Sequence, residues 1–148
     1  MLDYRIEGDL SALCLPAPST PHRADGLWRH SCCEAFLKVD GQAGYYEFNF
    51  APSTAWALYR FTAYRAGMCA IAATPPHLTS QLESDRFELQ AIVHLDSLPT
   101  GAAWWLAVAA IIETRDGELS YWALRHPTNP PDFHHPDSFT LRLESAAA

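Results

Sequence analysis

The strand signal that decides the fold class is GYYEFNF, residues 44–50 of a 148-residue chain. Its side chains alternate between two sets, a period of two that places the sets on opposite faces of a β-strand. One set is Tyr46, Phe48 and Phe50, and the other is Tyr45, Glu47 and Asn49. The aromatic set is expected to face a core. The second set faces either solvent or a ligand, because an antiparallel sheet can leave one face wet.

Further strand-like segments lie on both sides of this stretch, separated by prolines and by turn pairs such as Asp40-Gly41 and Asp116-Gly117. The apolar, Ala-rich run at residues 103–114 could be a buried helix, but its tryptophan, valine and isoleucine residues favour a strand. The other segments are residues 10–15, 27–39, 55–65, 86–95, 119–125 and 139–144. The sequence thus predicts a single domain, residues 1–148, with an all-β fold: an antiparallel two-sheet β-sandwich rather than a barrel.

Composition limits the partners of this chain. Ten basic residues against 17 acidic ones give a formal net charge of -7, and Lys38 is its single lysine. This balance argues against binding to nucleic acid or to an anionic membrane, since both attract cations. The longest apolar run, residues 102–112, is shorter than the ~20 residues of a membrane-spanning helix, and the N-terminus has no signal-peptide pattern. We therefore expect a cytoplasmic protein with reduced cysteines.

Glu34 is an acidic residue within the apolar stretch CCEAF. A buried carboxylate needs a partner, for which Arg60 and Arg65 are candidates. Elsewhere, acids, amides and arginines stand beside flat aromatic side chains, a mixture that suits a sugar: the polar groups bind hydroxyls and the rings cover C–H faces. The alternative for Glu47 and Asn49 is a solvated strand face. The candidate ligand-binding residues are Trp28, His30, Glu34, Glu47, Asn49, Trp56, Arg60, Arg65, Trp122, His126, Asp132 and His134.

The segment RHPTNPPDFHHPD, residues 125–137, allows three interpretations. As a metal site or as a His-based enzyme it offers His126, Asp132, His134 and His135. Their spacing matches no standard zinc pattern, and no nucleophile motif accompanies them. As structure, its prolines fix an ordered loop of the kind that often lines a binding site. An ordered loop that contacts a ligand is the preferred interpretation.

Four stretches carry a resemblance to a known family: LWRHSCCEAFL, YYEFNFAPSTAWALYRFTAYRAGM, SYWALRHP and PDFHHPDSF. In content and order they are similar to a bacterial group of DOMON-like proteins, related to family 9 carbohydrate-binding modules. The resemblance implies a jelly-roll or immunoglobulin-like β-sandwich that binds a ligand on one sheet face. Sugar and haem are the ligand classes of the wider superfamily. Met68 is the one internal methionine and no C-x-x-C-H motif occurs, so haem has little support. No cofactor is expected, and haem and a metal ion stay open as alternatives.

These observations favour a non-catalytic module that binds a carbohydrate-like small molecule on one sheet face. Two alternatives stay open. One is a metal-dependent or His-based enzyme centred on His126, Asp132 and His134. The other is a structural or interaction domain without a small-molecule site, which predicts that Glu34 and Arg60 pair in a closed interior.

Overall fold

Two antiparallel sheets pack into an all-β sandwich, as the sequence predicts. The computed structural model describes residues 1–96, 98, 99 and 103–144. Within those ranges the strands are β1 Leu2–Glu7, β2 Cys32–Val39, β3 Tyr45–Phe50, β4 Trp56–Phe61, β5 Cys69–Ala70, β6 His77–Leu82, β7 Arg86–Ile92, β8 Trp104–Glu113, β9 Leu119–Ala123 and β10 Leu141–Leu143. Short 3₁₀ turns occupy Leu10–Ala12, Leu27–Arg29 and Pro136–Ser138. No helix in this part of the chain is long and apolar enough to cross a membrane.

The larger sheet carries β2 and β3 at its centre. Its strand order is β10-β8-β2-β3-β4-β5, and the smaller sheet has the order β1-β7-β6. Strand β9 also pairs with β8, at residues 109–113, while β10 pairs with β8 at residues 104–106. Because β2 occupies the other edge of β8, β9 and β10 lie one after the other along the same edge.

The alternation predicted for β3 is confirmed. Phe48 and Phe50 are buried between the two sheets, where they belong to the same apolar cluster as Phe87 of the smaller sheet. Removing such side chains from water stabilises the sandwich by roughly 25 cal/mol per Å² of apolar surface. Glu47 and Asn49 lie on the other face and are buried as well. The interpretation of these two residues as a solvated strand face is therefore wrong.

The outer face of the larger sheet is its face opposite the smaller sheet. It is covered by the segment between β9 and β10, residues 124–140, which we call the covering loop. Phe133 and Phe139 of this loop are buried, and each ring lies with its centroid 6.5 Å from that of Phe36 on β2. Phe36 itself has no exposed surface. This apolar contact explains why the centre of the larger sheet is buried on both faces.

The N-terminal region differs from the sequence prediction. Residues 10–15 do not form a strand, because Leu10–Ala12 is a 3₁₀ turn. Its first turn is capped by the Asp9 side chain, which accepts a hydrogen bond from the Ser11 backbone N–H at 3.0 Å. The N-terminal strand is instead β1, which pairs with β7. The Ala-rich run that also suited a helix is strand β8.

Candidate functional site

A cavity of about 380 Å³ opens on the outer face of the larger sheet, between its strands and the covering loop. Its volume lies in the range of small-molecule sites. The structure brings together five of the residues predicted from the sequence, which line this cavity: Trp28, Glu34, Glu47, Arg65 and His134. They come from β2, β3, the 3₁₀ turn before β2, the turn after β4 and the covering loop.

Two buried carboxyl groups form the polar part of the cavity. Glu34 is 2% exposed and Glu47 is 3% exposed. They share a face of neighbouring strands, because Glu34 is directly opposite Asn49 and Glu47 is directly opposite Phe36 in the antiparallel β2–β3 pair. Diagonal neighbours of this kind have Cβ atoms roughly 7–8 Å apart or somewhat less. One small molecule can therefore contact both carboxyl groups.

Burial acts on both carboxyl groups in the same direction. It raises the pKa of Glu47 to about 7, although a 3.0 Å hydrogen bond from Asn49 Nδ2 and the charge of Arg65 act to lower it. The pKa of Glu34 is raised well above its usual range, first by burial and then by the charge of Glu47. Among the described residues, no side chain donates a hydrogen bond to the Glu34 carboxyl group. Near neutral pH the pair therefore resists full ionisation unless a cation lies beside it.

His134 extends from the covering loop toward Glu47. Tyr45 Oη lies 2.7 Å from His134 Nδ1 and also accepts a hydrogen bond from the Arg65 backbone N–H at 3.2 Å. We assign the tyrosine hydroxyl as the donor to Nδ1, because its oxygen already accepts from the Arg65 backbone N–H. This assignment places the ring proton on Nε2, which lies 3.7 Å from Glu47 Oε2. Burial lowers the pKa of His134 to about 4, with Arg65 acting in the same direction and Asp132 against it. The imidazole is therefore neutral at neutral pH and presents an N–H donor.

We expect Tyr45→Phe to lower the free energy of unfolding by about 1–2 kcal/mol, because it leaves His134 Nδ1 and the Arg65 backbone N–H without a partner. Urea unfolding measures the loss, and ¹⁵N NMR of the imidazole shows whether the ring proton stays on Nε2. Tyr46→Phe, on the opposite face of β3, is the matched control and is expected to change neither. Unchanged stability and an unchanged tautomer in Tyr45→Phe would contradict the assigned network.

Asp132 fastens the covering loop to the turn after β4. Its carboxylate accepts hydrogen bonds from the Tyr64 hydroxyl, from the Arg65 guanidinium at 2.7 Å and from the His134 backbone N–H at 3.0 Å. Burial raises the pKa of Asp132, but the hydrogen bonds from Tyr64 and Arg65 lower it by more. The pKa therefore lies below its ordinary value, and the group is an ionised carboxylate. Asp132 is a positioning residue, since its oxygens are already engaged within the protein.

Trp28 forms an aromatic wall of the cavity. It lies in the 3₁₀ turn that follows Gly26, whose φ of 74° is left-handed and favours glycine. The indole packs edge-on against Tyr59, with ring centroids 5.7 Å apart. The Tyr59 hydroxyl donates a 2.6 Å hydrogen bond to Asp25, which fixes the phenol ring. Trp28 is half-buried, so part of its surface is left to line the cavity.

Three of the predicted residues lie away from the cavity. Trp56 is buried in the core between the sheets, and Arg60 is exposed on that same side of β4, directly opposite Tyr46. Trp122 is 63% exposed and lines a different cleft, beside β1. Arg60 therefore does not pair with Glu34. The closed interior predicted for a purely structural domain is also wrong, because a cavity lies beside Glu34.

His30, His126 and Asn49 do not line the cavity either. His30 Nδ1 lies 2.8 Å from Glu113 Oε2 at the end of β8, and the His126 ring lies 6.2 Å from that of Phe133. Asn49 has no exposed surface. Its side-chain oxygen is buried without a hydrogen-bond partner among the described residues, while its amide nitrogen supports the neighbouring carboxyl group.

The His-rich segment does not assemble a metal site. Among the described residues, no three His, Cys, Asp or Glu side chains are grouped so that they could hold a metal ion. The Asp132 carboxylate is taken by Tyr64 and Arg65, and His134 Nδ1 is taken by Tyr45. The metal-dependent alternative therefore lacks a donor set in the described part of the chain.

The two cysteines on β2 are unreactive because burial keeps their thiols protonated. Cys32 and Cys33 are free and buried, and Cys33 packs in the core between the sheets. Burial raises the pKa of Cys33 to about 12 and that of Cys32 well above its usual range. Neither residue supplies a nucleophilic thiolate at neutral pH.

Some residues that line the cavity are not among those predicted from the sequence. They are Phe61, Met68, Ile111, Tyr121, Pro131 and Phe133. Phe61 is directly opposite Tyr45, and Ile111 is directly opposite Tyr121 on β9. Once the pairing of the strands is known, alternation along each strand places Phe61, Ile111 and Tyr121 on the face that lines the cavity.

No protein-family model matches the chain, and no curated protein matches it in sequence. Among solved structures it is similar to a crystal structure of a "putative carbohydrate-binding protein" from Bacteroides uniformis, with a TM-score of 0.65 and 14% sequence identity. The match covers 97% of this chain and 72% of that chain. At this level of identity the likeness shows the fold alone.

Proposed function

We propose that this protein is a non-catalytic carbohydrate-binding β-sandwich of the DOMON-like kind, related to family 9 carbohydrate-binding modules. The observation that carries the proposal is the buried pair Glu34 and Glu47 at the floor of a cavity of about 380 Å³ with aromatic walls. Glu47 accepts one hydrogen bond from Asn49, while no side chain among the described residues donates to Glu34. A buried carboxyl group that lines a cavity without an internal donor is costly, so this arrangement favours a ligand that supplies the missing partner.

The chemistry of the walls suits a polyol. A sugar hydroxyl both donates and accepts hydrogen bonds, and the cavity offers carboxyl oxygens together with the His134 Nε2–H donor. The aromatic rings of Trp28 and Tyr121 offer flat apolar surface to the C–H face of a sugar ring at little cost in conformational entropy. The name of the Bacteroides uniformis protein agrees with this class of ligand. The net charge of -7 supports a small-molecule ligand over nucleic acid.

Isothermal titration calorimetry with a panel of monosaccharides and sugar nucleotides tests the proposal. We expect at least one sugar to bind, and Trp28→Ala to weaken that binding about tenfold or more, because truncating a tryptophan in a binding site commonly costs over 1 kcal/mol. Trp122→Ala is the matched control, since it removes a tryptophan outside the cavity, and it is expected to leave affinity unchanged.

Two results would overturn the carbohydrate proposal. One is that no member of the panel binds to the folded wild-type protein. The other is that Trp122→Ala weakens binding as much as Trp28→Ala, which would place the ligand away from the outer face of the larger sheet.

A further inference from the structure

The charges that face the cavity are not balanced within it. Among the described residues that line it, the acidic ones are Glu34 and Glu47, and the single cation is Arg65. The Arg65 guanidinium donates a 2.7 Å hydrogen bond to Asp132, so its positive charge is matched by that carboxylate. His134 is neutral. Arg65 still acts on Glu47 through its charge, but among the described residues no arginine or lysine forms an ion pair with either glutamate.

Glu34 has fewer hydrogen-bond partners than Glu47. Glu34 is only 2% exposed, and it lines the cavity. Among the described residues no donor reaches its carboxyl group. Glu47 is better supplied, with the Asn49 amide at 3.0 Å and His134 Nε2 at 3.7 Å. An unpartnered buried carboxyl group that meets only a cavity indicates that the missing partner comes from a ligand.

The aromatic side chains that line the cavity can also bind a positive charge. The rings of Trp28, Phe61, Tyr121 and Phe133 line the same cavity. Aromatic faces attract cations through the ring quadrupole, and aromatic walls beside carboxylates are a recognised environment for ammonium groups. A neutral sugar can use the hydrogen-bonding groups of this cavity, whereas a cation additionally stabilises the ionised form of its two carboxyl groups.

We propose that the ligand carries a protonated amine, and that this ammonium group binds between Glu34 and Glu47 under the aromatic walls. The inference rests on the proposed carbohydrate function and deepens it, because it names an amine-bearing sugar as the preferred class. A compact cation that donates several hydrogen bonds can satisfy both carboxyl groups at once.

This proposal predicts a proton release on binding. The ammonium group favours the ionised form of the carboxyl pair, which the free protein resists. The titratable and charged groups around Glu47 are Cys32, Glu34 and Lys38 on β2, Tyr45 on β3, Tyr59 on β4, Arg65 in the following turn, and Asp132 and His134 in the covering loop. The pH window of 5.5 to 7 is set by Glu47, whose pKa burial raises to about 7. The pKa values of Cys32, Tyr45 and Tyr59 are raised above their ordinary, higher values, and those of His134 and Asp132 are lowered.

Calorimetry with four probes tests the inference: glucosamine, N-acetylglucosamine, glucose and tetramethylammonium. At pH 7 we expect glucosamine to bind at least about tenfold more tightly than N-acetylglucosamine, which has the same ring without the charge. The dissociation constant for glucosamine should fall by up to about tenfold per pH unit between pH 5.5 and 7, as expected when one proton is released. Paired titrations in two buffers of different ionisation enthalpy measure that proton directly.

Glu34→Gln should reduce the preference for glucosamine over N-acetylglucosamine to less than about threefold while the neutral sugar still binds. The matched control is Glu88→Gln on β7, which lies in the smaller sheet and should keep the full preference. Equal affinity for glucosamine and N-acetylglucosamine would overturn the inference and leave the carbohydrate proposal standing. Binding of tetramethylammonium without any sugar would overturn the carbohydrate proposal and support the charge preference. Binding of no probe would overturn the amine inference, and the full panel of monosaccharides and sugar nucleotides would then decide the carbohydrate proposal.

Discussion

Replacing the two buried carboxyl groups by amides, in the double variant Glu34→Gln/Glu47→Gln, is expected to stabilise the ligand-free fold at pH 8 by several kcal/mol. The native state raises the pKa of Glu47 from its ordinary 4.5 to about 7, so between these pH values it binds more protons than the unfolded chain. The free energy of unfolding therefore falls as pH rises through this window. The loss is on the order of 3 kcal/mol for Glu47. Glu34 contributes with the same sign, since burial raises its pKa too.

Urea unfolding of the wild type and the variants at pH 5 and pH 8 measures this effect. Relative to the double variant, the wild type should lose free energy of unfolding between pH 5 and pH 8. His134, whose pKa burial lowers from 6.5 to about 4, acts in the opposite direction below pH 6.5, but it does so in both proteins. Glu88→Gln on β7 is the control and should keep the wild-type slope. If the free energies of unfolding of the wild type and the double variant followed the same pH curve, burial would not raise the pKa values of these two carboxyl groups, contrary to the prediction.

Phe36→Ala is expected to lower the free energy of unfolding by about 3–5 kcal/mol, as truncation of a fully buried phenylalanine commonly does. The Phe36 ring lies 5.1 Å from the His134 ring and 6.5 Å from each of Phe133 and Phe139, measured between centroids. The truncation thus removes the main apolar contact between the larger sheet and the covering loop. We expect it to weaken ligand binding as well, because the loop carries one wall of the cavity.

Phe36→Leu is the matched control, because leucine retains much of the buried volume and is expected to cost about 1.5 kcal/mol or less. Amide hydrogen exchange over residues 131–139 separates loop loosening from global destabilisation when it is measured well below the unfolding transition. A cost below about 1 kcal/mol for Phe36→Ala, or unchanged protection of the loop amides, would show that other contacts fix this segment.

Strand β3 shows how much of the fold follows from local sequence. Two periods of alternation in GYYEFNF are enough to assign Phe48 and Phe50 to one face and Glu47 to the other. The acidic Glu34 within an apolar run correctly marked a buried carboxyl group. Both inferences rest on local features, since the period of a strand and the cost of burying a charge need no knowledge of distant contacts.

Trp56 and Arg60 were wrongly predicted to contact a ligand, because the sequence does not show which face of β4 they occupy. Strand β4 reads WALYRF, with aromatic residues at both even and odd positions, so no period distinguishes the side of Trp56 and Arg60 from that of Tyr59 and Phe61. Only the pairing with β3, which sets Phe61 opposite Tyr45, decides the matter. A strand without a clear period leaves its register to tertiary contacts.

The position of the covering loop could not be predicted from the sequence, for a different reason. Its candidate residues were recognisable, but their placement depends on β9 and β10 pairing with one edge of β8 and on Asp132 reaching Tyr64 and Arg65. Those contacts join residues far apart in the sequence. Nothing in the local pattern of a proline-rich segment states which surface it will cross.

The pairing of β9 and β10 with a single strand has a consequence for how such a molecule can diversify. Ala123 is paired with Ala109 and Leu141 with Leu106, so the loop leaves and rejoins the same strand at points roughly 10 Å apart. Closing a flexible loop becomes only slowly more costly with length, by about 0.6 kcal/mol for each doubling. Residues could therefore be inserted into or exchanged within this segment while both sheets keep their register. The residues of this loop that line the cavity can therefore vary while the strands of the sandwich stay unchanged.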